Sequence, residues 1–155
     1  MAAKTRALEV LNHAGIAYEL LTYTAHTAHF GDHAVEELGV DPALTLKTLV
    51  VHYGRDFAAC CVPVSAHLSL KKAAKTLGWK NAEMADPKDA QRLTGYVVGG
   101  ISPVGTTTAL RTLIDDSVRP CPTVSVSGGQ RGLSVRLDPS DLADVIGAEF
   151  CDLMA

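Results

Sequence analysis

Two apolar, β-branched runs, Lys47–Tyr53 (KTLVVHY) and Phe57–Val64 (FAACCVPV), are separated only by Gly54-Arg55-Asp56. Neither run alternates cleanly between polar and apolar residues, so each reads as a strand covered on both faces. A three-residue glycine-bearing link between such runs is hairpin chemistry. A hairpin among the interior strands excludes a purely parallel sheet, and the rest of the chain must supply the cover.

Helices are legible around that pair. Thr5 can cap a helix carrying Leu8, Leu11 and Ala14 on one face, with Gly15 as its stop. Ser69–Leu77 places Leu70, Ala73, Ala74 and Leu77 on one side and Lys71, Lys72 and Lys75 on the other, ending at Gly78. The pattern Asp-Pro-x-Asp occurs twice, at Asp86–Asp89 and Asp138–Asp141. In each copy Asp caps, Pro fits the first helical position, and the second Asp faces the positive end of the helix dipole. These two helices run to about Thr94 and Ile146, and Asp32 opens a further short one through Leu38. Strands are expected at Ala17–Tyr23, Gly95–Val98, Leu113–Asp115, Thr123–Ser127, Leu133–Leu137 and Glu149–Leu153, the two around Gly128–Gly132 forming a second hairpin. The fold class is mixed α/β: one domain over residues 1–155, with a mostly antiparallel sheet of about seven strands and about five helices.

Composition narrows the function. With 14 basic and 17 acidic residues the chain has a net charge of −3, which disfavours DNA or any tight nucleic-acid binding by bulk charge, so such contact must be local. No run approaches the ~18 apolar residues of a membrane span, and the N-terminus lacks a signal-peptide core. A cytoplasmic protein that does not engage membranes is expected. Cys60, Cys61, Cys121 and Cys151 are irregularly spaced with no C-x-x-C pair, so buried reduced thiols are expected.

Four features bear on chemistry. Thr94–Thr108 holds four glycines without a Walker or dinucleotide pattern; Gly99-Gly100 could bring main-chain amides to a ligand, or simply turn the chain. Lys47, at the head of an apolar strand, either snorkels to solvent or points inward to hold an anion or oxyanion. His26, His29 and His33 could gather as a zinc site, yet Phe30-Gly31 breaks the helix that their spacing requires. The lysines at 71, 72, 75 and 80 form either a solvated face or a basic patch. No Gly-x-Ser-x-Gly elbow is present.

Taken in order, Lys47-Thr48-Leu49, Leu70–Ala74, Glu83–Pro87, Thr94–Pro103, Val126–Gly129 and Arg131-Gly132-Leu133 resemble the YbaK family, free-standing relatives of the editing domain of bacterial prolyl-tRNA synthetase. The similarity runs from the strand at Leu21–Tyr23 to the C-terminal helix and is greatest to the branch that removes cysteine from proline tRNA. It implies a mixed α/β domain hydrolysing an aminoacyl ester without metal or other cofactor. Lys47 and Gly100 would be catalytic, with Tyr23, Phe30, Thr48, Gly99, Ile101 and Ser127 lining the substrate pocket. In that family picture the substrate's own thiol attacks its carbonyl. The implied partners are the acceptor end of an aminoacyl-tRNA and, as the protein that could hand it over, prolyl-tRNA synthetase. One position departs from the branch: Ser134 stands where an aspartate is usual. Two other classes remain open, a non-catalytic module binding an aminoacyl end or nucleotide, and a histidine-based zinc hydrolase.

Overall fold

The structure, a computed structural model, describes residues 4–23 and 40–155. Two strands of the expected length form the central hairpin, β2 (Leu46–Tyr53) and β3 (Asp56–Pro63), paired in register from Leu46↔Pro63 to Tyr53↔Asp56. Gly54 makes the tight turn with φ 59°. β3 is buried from Ala58 to Pro63 and pairs in parallel with β5 (Arg111–Asp115), which pairs in parallel with β8 (Glu149–Cys151). On the other side, β2 meets β4 (Glu83–Met84) over only two residue pairs. The resulting sheet has the order β4-β2-β3-β5-β8.

A second sheet, β1-β7-β6, consists of β1 (Glu19–Thr22), β7 (Leu133–Leu137) and β6 (Val124–Ser127), all antiparallel. The expected single sheet is therefore two, although four of the six strand pairings are antiparallel. The sheets touch where Thr45 bridges Ser125 in parallel. The β6–β7 hairpin closes through the Gly128–Gly132 turn, where Gly128 N–H donates to the Leu133 carbonyl at 2.8 Å.

Four α-helices lie among the described residues: α1 (Arg6–His13), α2 (Leu70–Leu77), α3 (Pro87–Thr94) and α4 (Pro139–Ile146). Their caps are those the sequence supplies. Thr5, Ser69, Asp86 and Asp138 accept first-turn amides, and Gly78, Gly95 and Gly147 close α2, α3 and α4 in the left-handed conformation. The helix expected at Asp32–Leu38 lies outside the described residues. Gly95–Val98, expected as a strand, is instead a run of bends and turns. Among the described residues no strand pairs with it; Gly95 (φ 79°) ends α3, and Val98 N–H is satisfied by Gln91 Oε1 at 2.9 Å.

Two apolar clusters flank the larger sheet. One joins Leu46, Cys61 and Ile114 to the inner face of the smaller sheet, α1 and α4; the other packs Val51, Cys60, Val62 and Leu113 under α2 and Leu153. Cys60 and Cys61 thus point to opposite faces of β3, as neighbours on a strand must.

Candidate functional site

Where β2 passes from one sheet to the other, it opens. Tyr53 and Asp56 flank a two-residue turn, so odd-numbered residues of β2 turn their N–H and C=O toward β3 and even-numbered ones toward the opposite edge. The Val50 carbonyl duly accepts from Ala85 N–H at 2.9 Å. β4 goes no further, and β6 of the smaller sheet is bridged only at Thr45, the residue before β2. Between these points the main chain of Thr48 faces no strand among the described residues.

That gap is the wall of a cavity of about 330 Å³. Every residue from Thr45 to Val50 touches it, although neighbouring side chains point to opposite faces, as happens when a strand presents its edge. The volume lies at the lower end for small-ligand sites. The opposite wall is the 97–103 loop and the β6–β7 hairpin, with α3 below.

The structure gathers Tyr23, Lys47, Thr48, Gly99, Ile101 and Ser127 around this cavity from β1's end, β2, the glycine loop and β6. Tyr23 is fixed by its N–H to the Gly132 carbonyl (2.9 Å). Lys47 is half-buried and makes no ion pair among the described residues. Ser127 Oγ accepts from Gly129 N–H at 3.2 Å, which leaves its own proton to donate. Phe30 lies outside the described residues, as do His26, His29 and His33.

Gly100 is placed differently from expectation. It is buried behind the lining, and its N–H donates to the Val97 carbonyl at 2.9 Å, so this amide is not free for a ligand. A Cβ there would stand 2.8 Å from Arg131 N and Gln130 C, so glycine allows the loop to rest on the backbone of the β6–β7 turn. Arg131 Nε clasps the same loop at the Val98 carbonyl, 2.9 Å away. The amides of Gly99 and Ile101, on either side, make no hydrogen bond among the described residues.

Sequence reasoning missed the apolar part of the wall, Val64, Met84, Ala85, Pro87, Ala90 and Val98. Met84, Ala85, Pro87 and Ala90 run from β4 into α3, and of the six only Met84, Ala85 and Pro87 (in the Glu83–Pro87 motif) and Val98 (in Thr94–Pro103) carried a sequence signal. Ser134 does line the cavity, opposite Ser127 across the β6–β7 pair.

The described lining contains no His, Cys, Asp or Glu. The thiol nearest to it, Cys61, contacts Thr48 Oγ1 at 3.7 Å from the buried side. Burial pushes that thiol up to about 12, outweighing the Thr48 hydrogen bond that lowers it. The described lining thus offers a cation, hydroxyls and main-chain donors, with no nucleophile–base pair among the described residues.

The chain belongs to the aminoacyl-tRNA editing domain family, whose pattern it matches over residues 24–145. It is 29% identical to EbsC of Enterococcus faecalis, described as a candidate Cys-tRNA(Pro)/Cys-tRNA(Cys) deacylase, over 97% of this chain and 93% of that one. A crystal structure described as a candidate trans-editing enzyme for prolyl tRNA synthetase superposes with a TM-score of 0.87 at 25% identity, covering 99% of both chains. A hypothetical protein of 24% identity shares the fold, with a TM-score of 0.87 over 97% of this chain and 100% of that one.

Proposed function

We propose that this chain is a trans-editing deacylase that hydrolyses the ester of cysteine mischarged onto proline tRNA. The observation that carries the reading is the convergence of Lys47, Thr48, Ser127 and the Gly99–Ile101 loop on one small cavity without a nucleophile–base pair among the described residues. An aminoacyl ester is already activated, so its hydrolysis needs orientation and stabilisation of developing negative charge more than a potent protein nucleophile. Lys47 and the amides of Gly99 and Ile101 supply that stabilisation at the carbonyl oxygen. The Thr48 main chain, unpaired at the strand gap, accepts from the substrate's ammonium group in place of a carboxylate at Ser134.

The attacking group is the substrate's own thiol, which ionises more readily than a hydroxyl. Its sulfur bonds to the carbonyl carbon, the ester C–O bond breaks, and the ribose hydroxyl leaves with a proton. Water then opens the resulting cyclic thioester to free cysteine. Prolyl-tRNA synthetase is the partner that would deliver the mischarged tRNA.

The test is a deacylation panel on proline tRNA charged with Cys, Ser, Ala or Pro, run on the native protein and on Lys47→Ala. Cys should be released fastest, and the variant should lose about 100-fold in rate, the usual cost of one oriented charge-stabilising donor. Equal rates on the Cys and Ser esters would remove the thiol step, and an unaffected Lys47→Ala would remove Lys47.

A further inference from the structure

A second concavity, of about 420 Å³, lies along α2 and the segment that follows it. Lys71 and Lys75, one helical turn apart, form one side; Lys80, just beyond the left-handed Gly78, forms the other, and Trp79 is its half-buried floor. Lysines on a helix surface are ordinarily just solvated. These differ from their neighbour Lys72, whose Nζ is consumed by Asp152 Oδ2 at 2.8 Å and the Met154 carbonyl at 2.7 Å. Among the described residues Lys71, Lys75 and Lys80 make no ion pair or side-chain hydrogen bond, so three uncompensated cations share one groove in a chain of net charge −3.

The groove adjoins the ester cavity. Ala82 lines the first and Met84 the second, a step of only ~7 Å along extended backbone. The intervening carboxylate, Glu83, alternates to the other side of β4, where it meets His52 Nε2 at 3.7 Å. Trp79 is tilted against Tyr53, ring centroids 6.3 Å apart, and Tyr53 is itself solvent-exposed. Three cations beside one half-buried aromatic, Trp79, suit a nucleic-acid strand, whose phosphates pair with lysine while a base can stack on the ring.

We propose that this groove is a second binding site, for the phosphodiester backbone of the RNA whose terminal ester enters the cavity. The inference rests on the deacylase reading and extends it, because it makes a locally basic surface the anchor of an otherwise acidic domain. It also assigns the lysines a task that the ester chemistry does not require.

The experiment compares the native chain with Lys71→Gln/Lys75→Gln/Lys80→Gln and with Lys80→Gln alone, which lies outside the helix and guards against a folding defect in the triple variant. Deacylation is followed on Cys-tRNA(Pro) and on cysteinyl-adenosine, and binding is measured with uncharged proline tRNA, all between 50 and 300 mM salt. The triple variant should weaken tRNA binding and raise KM by about 10-fold or more, and should flatten the salt dependence by about one unit of slope per lysine. The loss should be confined to substrates that carry the RNA body. An unchanged salt slope, or an equal loss on cysteinyl-adenosine, would overturn the proposal and leave the groove to a protein partner or to solvent. If the native chain cleaves neither ester, the deacylase reading has failed, and the uncharged-tRNA arm still decides the groove.

Discussion

Gly100→Ala isolates the contact between the two loops that wall the cavity. A methyl group at this position stands 2.8 Å from both Arg131 N and Gln130 C and 2.9 Å from Gln130 Cα, about 0.6 Å inside ordinary contact at 3.4 Å. All three atoms are backbone, so no side chain can swing away, and one loop must retreat by most of that distance. Overpacking of this kind costs ~2 kcal/mol, which for a chain of 155 residues lowers Tm by ~4–8 °C. The retreating loop carries Gly99 and Ile101. If a ~1 Å misplacement costs ~100-fold in rate, the smaller shift here costs ~10-fold in kcat/KM. Thermal melts followed by circular dichroism and deacylation of Cys-tRNA(Pro) read the two effects on the same preparation. A variant with native Tm and native kcat/KM would show that the loops are not in the contact described, and a variant that is destabilised yet fully active would detach the loop from the chemistry.

The buried thiols make stability fall at alkaline pH. Burial raises Cys60 and Cys61 from 9.0 to about 12, so the unfolded chain loses their protons first, and stability present below pH 9 declines toward pH 12 at up to ~1.4 kcal/mol per pH unit per thiol. Melts of a Cys60→Ala/Cys61→Ala variant between pH 8 and 10.5 should show a shallower decline than the native chain. Asp115 is fully buried and accepts from Leu153 N–H at 2.9 Å and Ser117 N–H at 3.1 Å, tying the C-terminal segment to β5. Asp115→Ala leaves both amides unpaired and should cost ~3 kcal/mol, seen as a Tm loss of ~6–12 °C and faster proteolysis near the C-terminus.

Local chemistry made much of this fold readable. The Asp-Pro-x-Asp copies start α3 and α4 because a cap, a fixed φ and a favourable dipole act within four residues. The β2–β3 hairpin was equally plain from its apolar runs and its glycine turn. Gly95–Val98 misled because its β-branched valines describe a propensity, whereas a strand also needs a neighbour. Here Gln91 and the left-handed Gly95 settle the backbone locally. The division into two sheets was not legible either, since it depends on where β2 parts from β4 and crosses to β6, a long-range event that leaves no local mark.

The same distinction governs the site. Lys47 stands out as a charge opening an apolar strand and the glycine loop by composition, while Tyr23, Thr48 and Ser127 come only from the family resemblance. What could not be read was how each is used. The pair Gly99-Gly100 offers main-chain amides or a turn; the Gly100 amide donates to the Val97 carbonyl, and its missing side chain lets the loop rest on the β6–β7 turn. The strand gap at Thr48 leaves no trace in the residue types, because it is an absence of pairing rather than a motif. Yet it is this gap that turns an interior strand into a cavity wall and leaves the Thr48 main chain facing no strand among the described residues. A polar edge that any side chain could flank places little demand on sequence. In the proposed reading, the Thr48 backbone would take the place of the carboxylate that Ser134 replaces, an acceptor that no mutation of the Thr48 side chain removes.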